Sequence, residues 1–570
     1  MGETARIVSP HPVNGAGWEM YVFRDGRRTV SGTELLAALR RKLLRWQSGS
    51  PAEREDCALA AQIAAGELEC ALLDAPANAS SLHLAAEITE AIALHFLEGT
   101  FPAAAILQKT EWLRAPGICQ AAVQEGFAYY ALHPRKVAML LDMLLDELRP
   151  SSRMAVLGIR SIGVTLSAVA CAALRRRGLE CRRINVRPTG HPYNRTLELT
   201  GELRRWIAEC GDARFLVIDE GPGISGSSFL AVAEALAACG VDAGRIELIG
   251  SRAADPSTLR APEASTRWPR FTFHPMQSAA IAPPDAGESL SGGAWRRRFL
   301  CDEETMPASW APLEAAKFIS ADERSIFRFE GLGHYGETVG ERSRLLAAHG
   351  FAPAYLGNIA GFGRYRMLNG CRLRREALSP ELVVRMAEYL ALRAAALRTS
   401  EAQSPELETM LRWNWKLEFG EELGANETGL RAERVVICDG RMMPHEWLRT
   451  ADGTVLKLDA ASHGDNHFFP GPCDIAWDVA GAIVEWEMEP AAHEQFIAEY
   501  EARSGDAVRR RLQPYLLAYT IFRVGWCRMA ALAMQGEYDE ALLLRDYRRY
   551  REIAEKQGFK VSRFQSFKVA

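Results

Sequence analysis

The sequence predicts a multidomain chain of α/β and α+β class: a helical N-terminal region, an open parallel α/β sheet, and a C-terminal domain of mixed strands and helices. Three observations predict it. At 570 residues the chain is too long for one hydrophobic core. After residue 150, short apolar runs alternate with helical stretches of roughly ten to fifteen residues, the pattern of parallel β-α-β units. Beyond residue 310, strand-like pieces give way to an aromatic-rich helical tail. The boundaries fall at 1–110 for the helical N-terminal region, 111–260 for the sheet domain, 261–309 for a linker with ordered patches, and 310–570 for the C-terminal domain.

Composition supports a globular chain. It is 48% hydrophobic and 25% charged, with 46 glycines and 27 prolines, which excludes disordered, collagen-like and coiled-coil classes. The net charge of −4 provides no global field for nucleic acid or an anionic membrane. Of the 68 basic residues 59 are arginine, so a lysine cannot be assumed wherever a cation is needed. No uninterrupted apolar run approaches about 20 residues. The N-terminus has neither a secretory pattern nor, with Arg6 at the critical position, a myristoylation signal. Twelve scattered cysteines without a CxxC pair read as reduced, buried thiols. The expectation is a cytoplasmic protein with small-molecule substrates and no nucleic acid or membrane partner.

Element by element, the stretch from Val30 to Gly99 is Ala/Leu/Glu-rich, with apolar residues recurring at three and four, which reads as a helical prefix or a surface for homodimerisation. MAVLGI (154–159), CRRINV (181–186), RFLVI (214–218) and RIELIGSR (245–252) read as four buried parallel strands. Helices fall between them, and an irregular loop spans 187–195. The Pro/Ser/Gly-richer stretch 251–309 reads as linker. Strands follow around 316–320 and 324–331, then a helix from Glu337, more strand around 354–358 and 363–368, and two helices announced by Ser379-Pro380 and Ser404-Pro405. RVVICDG and TVLKLD are strands. The arginine triplets 175–177, 296–298 and 509–511 read as solvated helix faces.

The densest string is FLVIDEGPGISGSSF (215–229). Asp219 and Glu220 stand at the carboxyl end of a buried strand. Gly221, Gly223 and Gly226 let backbone N–H groups turn inward, and Ser225, Ser227 and Ser228 open the next helix, whose N-terminus suits a phosphate. No lysine completes a Walker A loop. This string resembles the PRPP-binding motif of type I phosphoribosyltransferases, in a loop one residue longer than usual. The resemblance extends to GIRSIGVTLS (158–167), similar to their pyrophosphate loop, to the segment Arg187–Arg195 as a flexible loop bearing His191, and to 125–148 as a helical lead-in. It implies an open parallel sheet of phosphoribosyltransferase type. It further implies that Asp219 and Glu220 meet the ribose hydroxyls, that 221–228 cups the 5′-phosphate, and that Arg160, Ser161 and Gly163 meet pyrophosphate with Mg²⁺. The chemistry is loss of pyrophosphate through an oxocarbenium-like transition state.

The second string is CDGRMMPHEWLRTADGTVLKLDAASHGDNHFFPGPCDIAWDVAGA (438–482). Asp439 and Asp459 each follow a strand, and Asp474 and Asp478 precede an apolar helix. It resembles the aminoglycoside phosphotransferase and kinase-like superfamily, which implies a bilobal kinase-like domain using ATP and Mg²⁺. The resemblance implies Asp439 as base, His445 and Asp459 as metal ligands, and Arg328 in the place of the phosphate-binding lysine, with Glu337 or Glu341 as its helix partner. A competing register takes His463-Gly464-Asp465 as the catalytic motif, with His467 nearby. The two resemblances cover about 125–255 and 315–555. They imply a fused enzyme that transfers a phosphoribosyl group from PRPP and phosphorylates a nucleoside- or sugar-like metabolite. The alternatives are a PRPP- or nucleotide-sensing scaffold with non-catalytic sites, and a small-molecule resistance phosphotransferase.

Overall fold

The computed structural model describes residues 20–24, 26–50, 53–101, 104–147, 153–276, 281–300, 306–424 and 428–566. The chain folds as two compact units, one of Gly26–Ala282 with Gly331–Tyr335, the other of Pro283–Glu330 with Gly336–Ala570 and the short segment 20–24.

The first unit is built on five parallel strands: Arg153–Ile159, Glu180–Val186, Arg214–Ile218, Ile246–Gly250 and Thr272–Pro275. The four strands read from the sequence are all present. Their apolar runs are buried because helices cover the sheet, as a parallel sheet requires. The fifth strand, Thr272–Pro275, lies in the stretch read as linker; Phe271 and Phe273 pack with Trp268 into the core, so this segment is structural. In the sheet the order is second, first, third, fourth, fifth, with Leu157 paired to Ile184 on one side and Val217 on the other. The order reverses between the first and third strands. In open α/β sheets ligands bind at the carboxyl ends of the strands beside such a reversal.

The N-terminal helices belong to this unit. In Arg54–Leu73 every residue from Cys57 to Leu72 is buried, which no surface prefix would show. The helix lies against Ala79–Glu98 and Ile162–Arg176. Glu69 pairs with Arg183 of the second strand at 2.9 Å and accepts Asn185 Nδ2 at 2.9 Å, all inside the unit. The segment read as an irregular loop forms a hairpin, Thr189–His191 with Asn194–Thr196.

The second unit has an antiparallel five-stranded sheet in the order Ala286–Ser289, Lys317–Ser320, Ser325–Phe329, Phe362–Arg366, Tyr355–Ile359. The helix His334–Ala348 joins the third strand to Tyr355–Ile359. Its first strand, Ala286–Ser289, also comes from the stretch read as linker. The rest is mostly helical around one aromatic core in which Tyr389, Trp447, Trp477 and Tyr519 are almost fully buried. Ser379 caps Pro380–Ala396 through Leu382 N, as its Ser-Pro signature predicts. The helix Leu512–Ala533 is long and apolar enough to cross a membrane, yet it packs against Ala476–Glu485, Glu406–Phe419 and Tyr538–Ser566. Arg296 and Arg511, read as solvated, are buried: Arg296 holds both carboxylate oxygens of Asp539, and Arg511 pairs with Asp474 and Asp506. Among the described residues every cysteine is a free thiol, and most are buried.

Two small sheets position the acids of this unit. Val435–Ile437 pairs with Pro472–Asp474, and Gly370–Arg372 pairs with a hairpin of Trp447–Thr450 and Val455–Lys457. Asp439 and Asp459 each stand two residues beyond a strand end.

Candidate functional site

In the first unit Asp219 and Glu220 lie at the carboxyl end of Arg214–Ile218, beside the order reversal. The backbone around them is tight. Ser161 has φ of 124°, a strained conformation for a residue with a side chain, and its hydroxyl donates to the Val123 carbonyl at 3.2 Å. A Cβ on Gly163 would meet the Ile218 carbonyl oxygen at 2.7 Å, so only glycine lets the two loops come this close. Gly221 is closed by Ser251 and Gly226 by Trp268, whereas Gly223 faces open space.

The two acids diverge. Asp219 Oδ1 accepts the Glu220 N–H at 2.8 Å, and its carboxylate faces Arg195 and Arg187. Burial nevertheless raises its pKa to about 7. Glu220 Oε2 accepts the Gly126 N–H at 2.8 Å. Burial, with Glu125 and Asp219 close by, pushes its carboxyl well above the usual range. Other residues expected to meet a phosphate or pyrophosphate have protein partners. Arg160 pairs with Asp74 at 3.1 Å, and Arg187 pairs with the same carboxylate. Ser225 and Ser227 both donate to the Pro192 carbonyl at the hairpin tip, at 2.9 and 2.6 Å. Ser228 is part-exposed in the first helical turn, and the His191 ring lies edge-on to Tyr193.

In the second unit the carboxylates sort into anchors and centre. Asp474 accepts Glu433 N at 2.7 Å and Arg434 N at 2.8 Å, so it pins the strand that leads to Asp439. Asp478, at the start of Ala476–Glu485, accepts Asp439 N at 2.8 Å and Gly440 N at 2.9 Å. Burial raises Asp478 to about 6. Asp439 is fully buried; it accepts from the Tyr389 phenol and from Arg441 N, and lies 3.4 Å from the Lys457 ammonium. Burial opposes its charge, but Lys457, His463 and Arg393 hold its carboxyl below the ordinary range.

Asp459 is the part-exposed acid. Its backbone has φ of 53°, and its carboxylate pairs with Lys317 at 2.6 Å and Arg328 at 3.5 Å, which outweigh burial and hold its pKa well below the ordinary value. Arg328 thus faces Asp459 from the sheet. Glu337 and Glu341 are exposed, and the acids beside Arg328 are Asp459, Glu330 and Glu446. Glu330 follows the same strand, and burial lifts it to about 7.

His445 turns elsewhere: its ring stacks on Trp295 at 5.7 Å, and burial depresses it to about 4. The residue brought to Asp439 is its neighbour Glu446, together with His463. The His463-Gly464-Asp465 register therefore meets the Asp439 register in space. Gly464 packs so closely on the Cys438 carbonyl that a Cβ would fall well inside 3.0 Å of it. The side chain of Asp465 lies outside the described residues. His467 stacks on Phe23 at 5.0 Å and belongs to the core. Sequence reasoning missed Lys317, Glu446 and Lys457, whereas His463 entered through the competing register; the available signal was that two of the three are lysines in an arginine-dominated chain.

No protein-family model matches the chain, and no curated protein matches it. Among solved structures it is similar to an aminoglycoside phosphotransferase, described as putative, from Ralstonia eutropha (14% identity, 47% of this chain and 95% of that one, TM-score 0.32). It is also similar to the choline kinase LicA of Streptococcus pneumoniae (15% identity, 42% and 89%, TM-score 0.31). A third likeness is to an ethanolamine kinase of Plasmodium vivax (13% identity, 41% and 78%, TM-score 0.29).

Proposed function

We propose that the second unit is an ATP-dependent phosphotransferase of kinase-like build, acting on a hydroxyl of a small nucleoside- or sugar-like molecule. One observation carries the reading: Asp459, part-exposed, is held between two cations from the antiparallel sheet, Lys317 and Arg328, while Asp439 is locked by the paired amides on Asp478. Phosphoryl transfer is mostly positioning and charge stabilisation, and it needs both a cationic wall for the phosphates and a carboxylate for their metal. Lys317 is the compact ammonium that Arg328 cannot replace.

The residues fit Mg²⁺ in part. Asp459 offers hard oxygen donors on the exposed side; His445, stacked on Trp295, offers none. When bound, Mg²⁺ would neutralise phosphate charge at Asp459. The chain's own residues do the rest: Lys317 and Arg328 turn their charge to the nucleotide, and Asp478 fixes the loop that carries Asp439. Isothermal titration of the full chain with ATP and Mg²⁺ tests this, alongside γ-phosphate transfer to hydroxyl-bearing metabolites. Asp459→Asn should lose ATP affinity at least about tenfold; equal affinity in the variant would refute the reading. A second reading, nucleotide binding without transfer, is favoured by the complete burial of Asp439. It predicts saturable ATP binding with no ADP formed.

For the first unit we infer a sugar-phosphate site, with PRPP as the ligand to test. Support comes from Asp219 facing Arg187 and Arg195 at the order reversal, and from the strained Ser161 beside it. Ligand entry requires Arg160 to leave Asp74, and Ser225 and Ser227 to leave Pro192. Mg²⁺-dependent PRPP binding that disappears in Asp219→Asn supports this site, and pyrophosphate release with an acceptor would make it a transferase.

A further inference from the structure

Asp439, Glu446 and His463 form a cluster with the shape of a metal site. One ligand atom from each lies within 4.8 Å of the others, and all three side chains are at least nine-tenths buried. His463 Nδ1 points into the cluster, 3.8 Å from Glu446 Oε2 and 4.0 Å from Asp439 Oδ1, and makes no hydrogen bond there. Two carboxylates and an imidazole are a donor set for a divalent cation. The charge is already met from within. Lys457 Nζ lies 2.7 Å from Glu446 Oε2, 3.4 Å from Asp439 Oδ1 and 2.9 Å from the Leu458 carbonyl oxygen, with no exposed side-chain surface.

We propose that Lys457 is a built-in cation: its ammonium fills the metal position among Asp439, Glu446 and His463, this centre works without a divalent ion, and removing the amine turns it into a divalent-metal site. The choice of side chain supports the assignment. Only nine of the 68 basic residues are lysine, yet this position carries one. A compact ammonium occupies a metal-sized space, whereas a planar guanidinium would not. Lys457 also stands on the short strand Val455–Lys457, whose partner Trp447–Thr450 begins beside Glu446, so one hairpin supplies both cation and acid. Two buried carboxylates left without it must take up protons or another cation.

The experiment is a Mn²⁺ titration of the full-length protein by calorimetry and by electron paramagnetic resonance. Mn²⁺ avoids the free thiols that would compete for zinc. Wild type should show no saturable Mn²⁺ binding that depends on Glu446, so wild type and Glu446→Gln should titrate alike. Lys457→Met should gain one Mn²⁺ equivalent, at least about tenfold tighter than wild type. It should also gain a melting temperature that rises with Mn²⁺, and adding His463→Ala should remove both effects. Saturable Mn²⁺ binding by wild type that Glu446→Gln abolishes would overturn the proposal, as would a folded Lys457→Met that binds no metal. If Lys457→Met does not fold, Lys457→Gln and the wild-type comparison with Glu446→Gln decide it. ATP affinity plays no part in these outcomes, so they are independent of the phosphotransferase reading.

Discussion

Replacing Asp478 by asparagine tests whether the loop carrying Asp439 is held by one carboxylate. Asp478 is 1% exposed and gives one oxygen to Asp439 N and the other to Gly440 N. Asparagine keeps the size but has a single acceptor oxygen, so one amide must face an N–H donor. A hydrogen bond to a charged group contributes about 1.5–3 kcal/mol, and a buried unsatisfied donor costs about 1–3 kcal/mol. Arg393 also loses a counter-charge at 3.8 Å, so the local loss should be about 3 kcal/mol or more. In native-state hydrogen exchange read by mass spectrometry, the segment 437–442 should then exchange about a hundredfold faster. Segments of the parallel sheet, such as 214–218, should keep their protection. Protection at 437–442 within threefold of wild type would refute the reasoning.

Gly464→Ala should be destabilising by about 1–3 kcal/mol, because its Cβ meets backbone rather than a movable side chain, and a lowered urea midpoint would show it. It should also separate His463 from Asp439. The pH dependence at Asp219 follows from its pKa, raised from 3.8 to about 7 by burial. The unfolded carboxyl loses its proton near pH 4 and the folded one near pH 7, so this group's contribution falls as pH rises between them. Asp219→Asn retains the acceptor for Glu220 N and has no proton to lose. Its melting temperature relative to wild type should therefore increase from pH 4.5 to pH 7.5, and a constant difference would show that Asp219 titrates normally.

The sequence by itself determined the elements whose signal is local. Apolar runs such as RFLVI suit inner parallel strands, and Ser379-Pro380 suits a helix start, where serine accepts an amide and proline needs no donor. The acids at strand ends were legible for the same reason, since a strand's end is marked in its own residues. Tertiary structure alone decided what each acid meets. Whether Asp439 faces His445 or Glu446 depends on one residue's difference in direction in the turn Pro444–Glu446. Lys317 and Asp459 are 142 residues apart, and nothing local in either announces the ion pair. The helices before residue 99 looked like a prefix because their burial, including Glu69 on Arg183, depends on strands that follow much later. Local chemistry writes helices and strands into a few adjacent residues, whereas charge pairing and burial are settled by distant segments meeting.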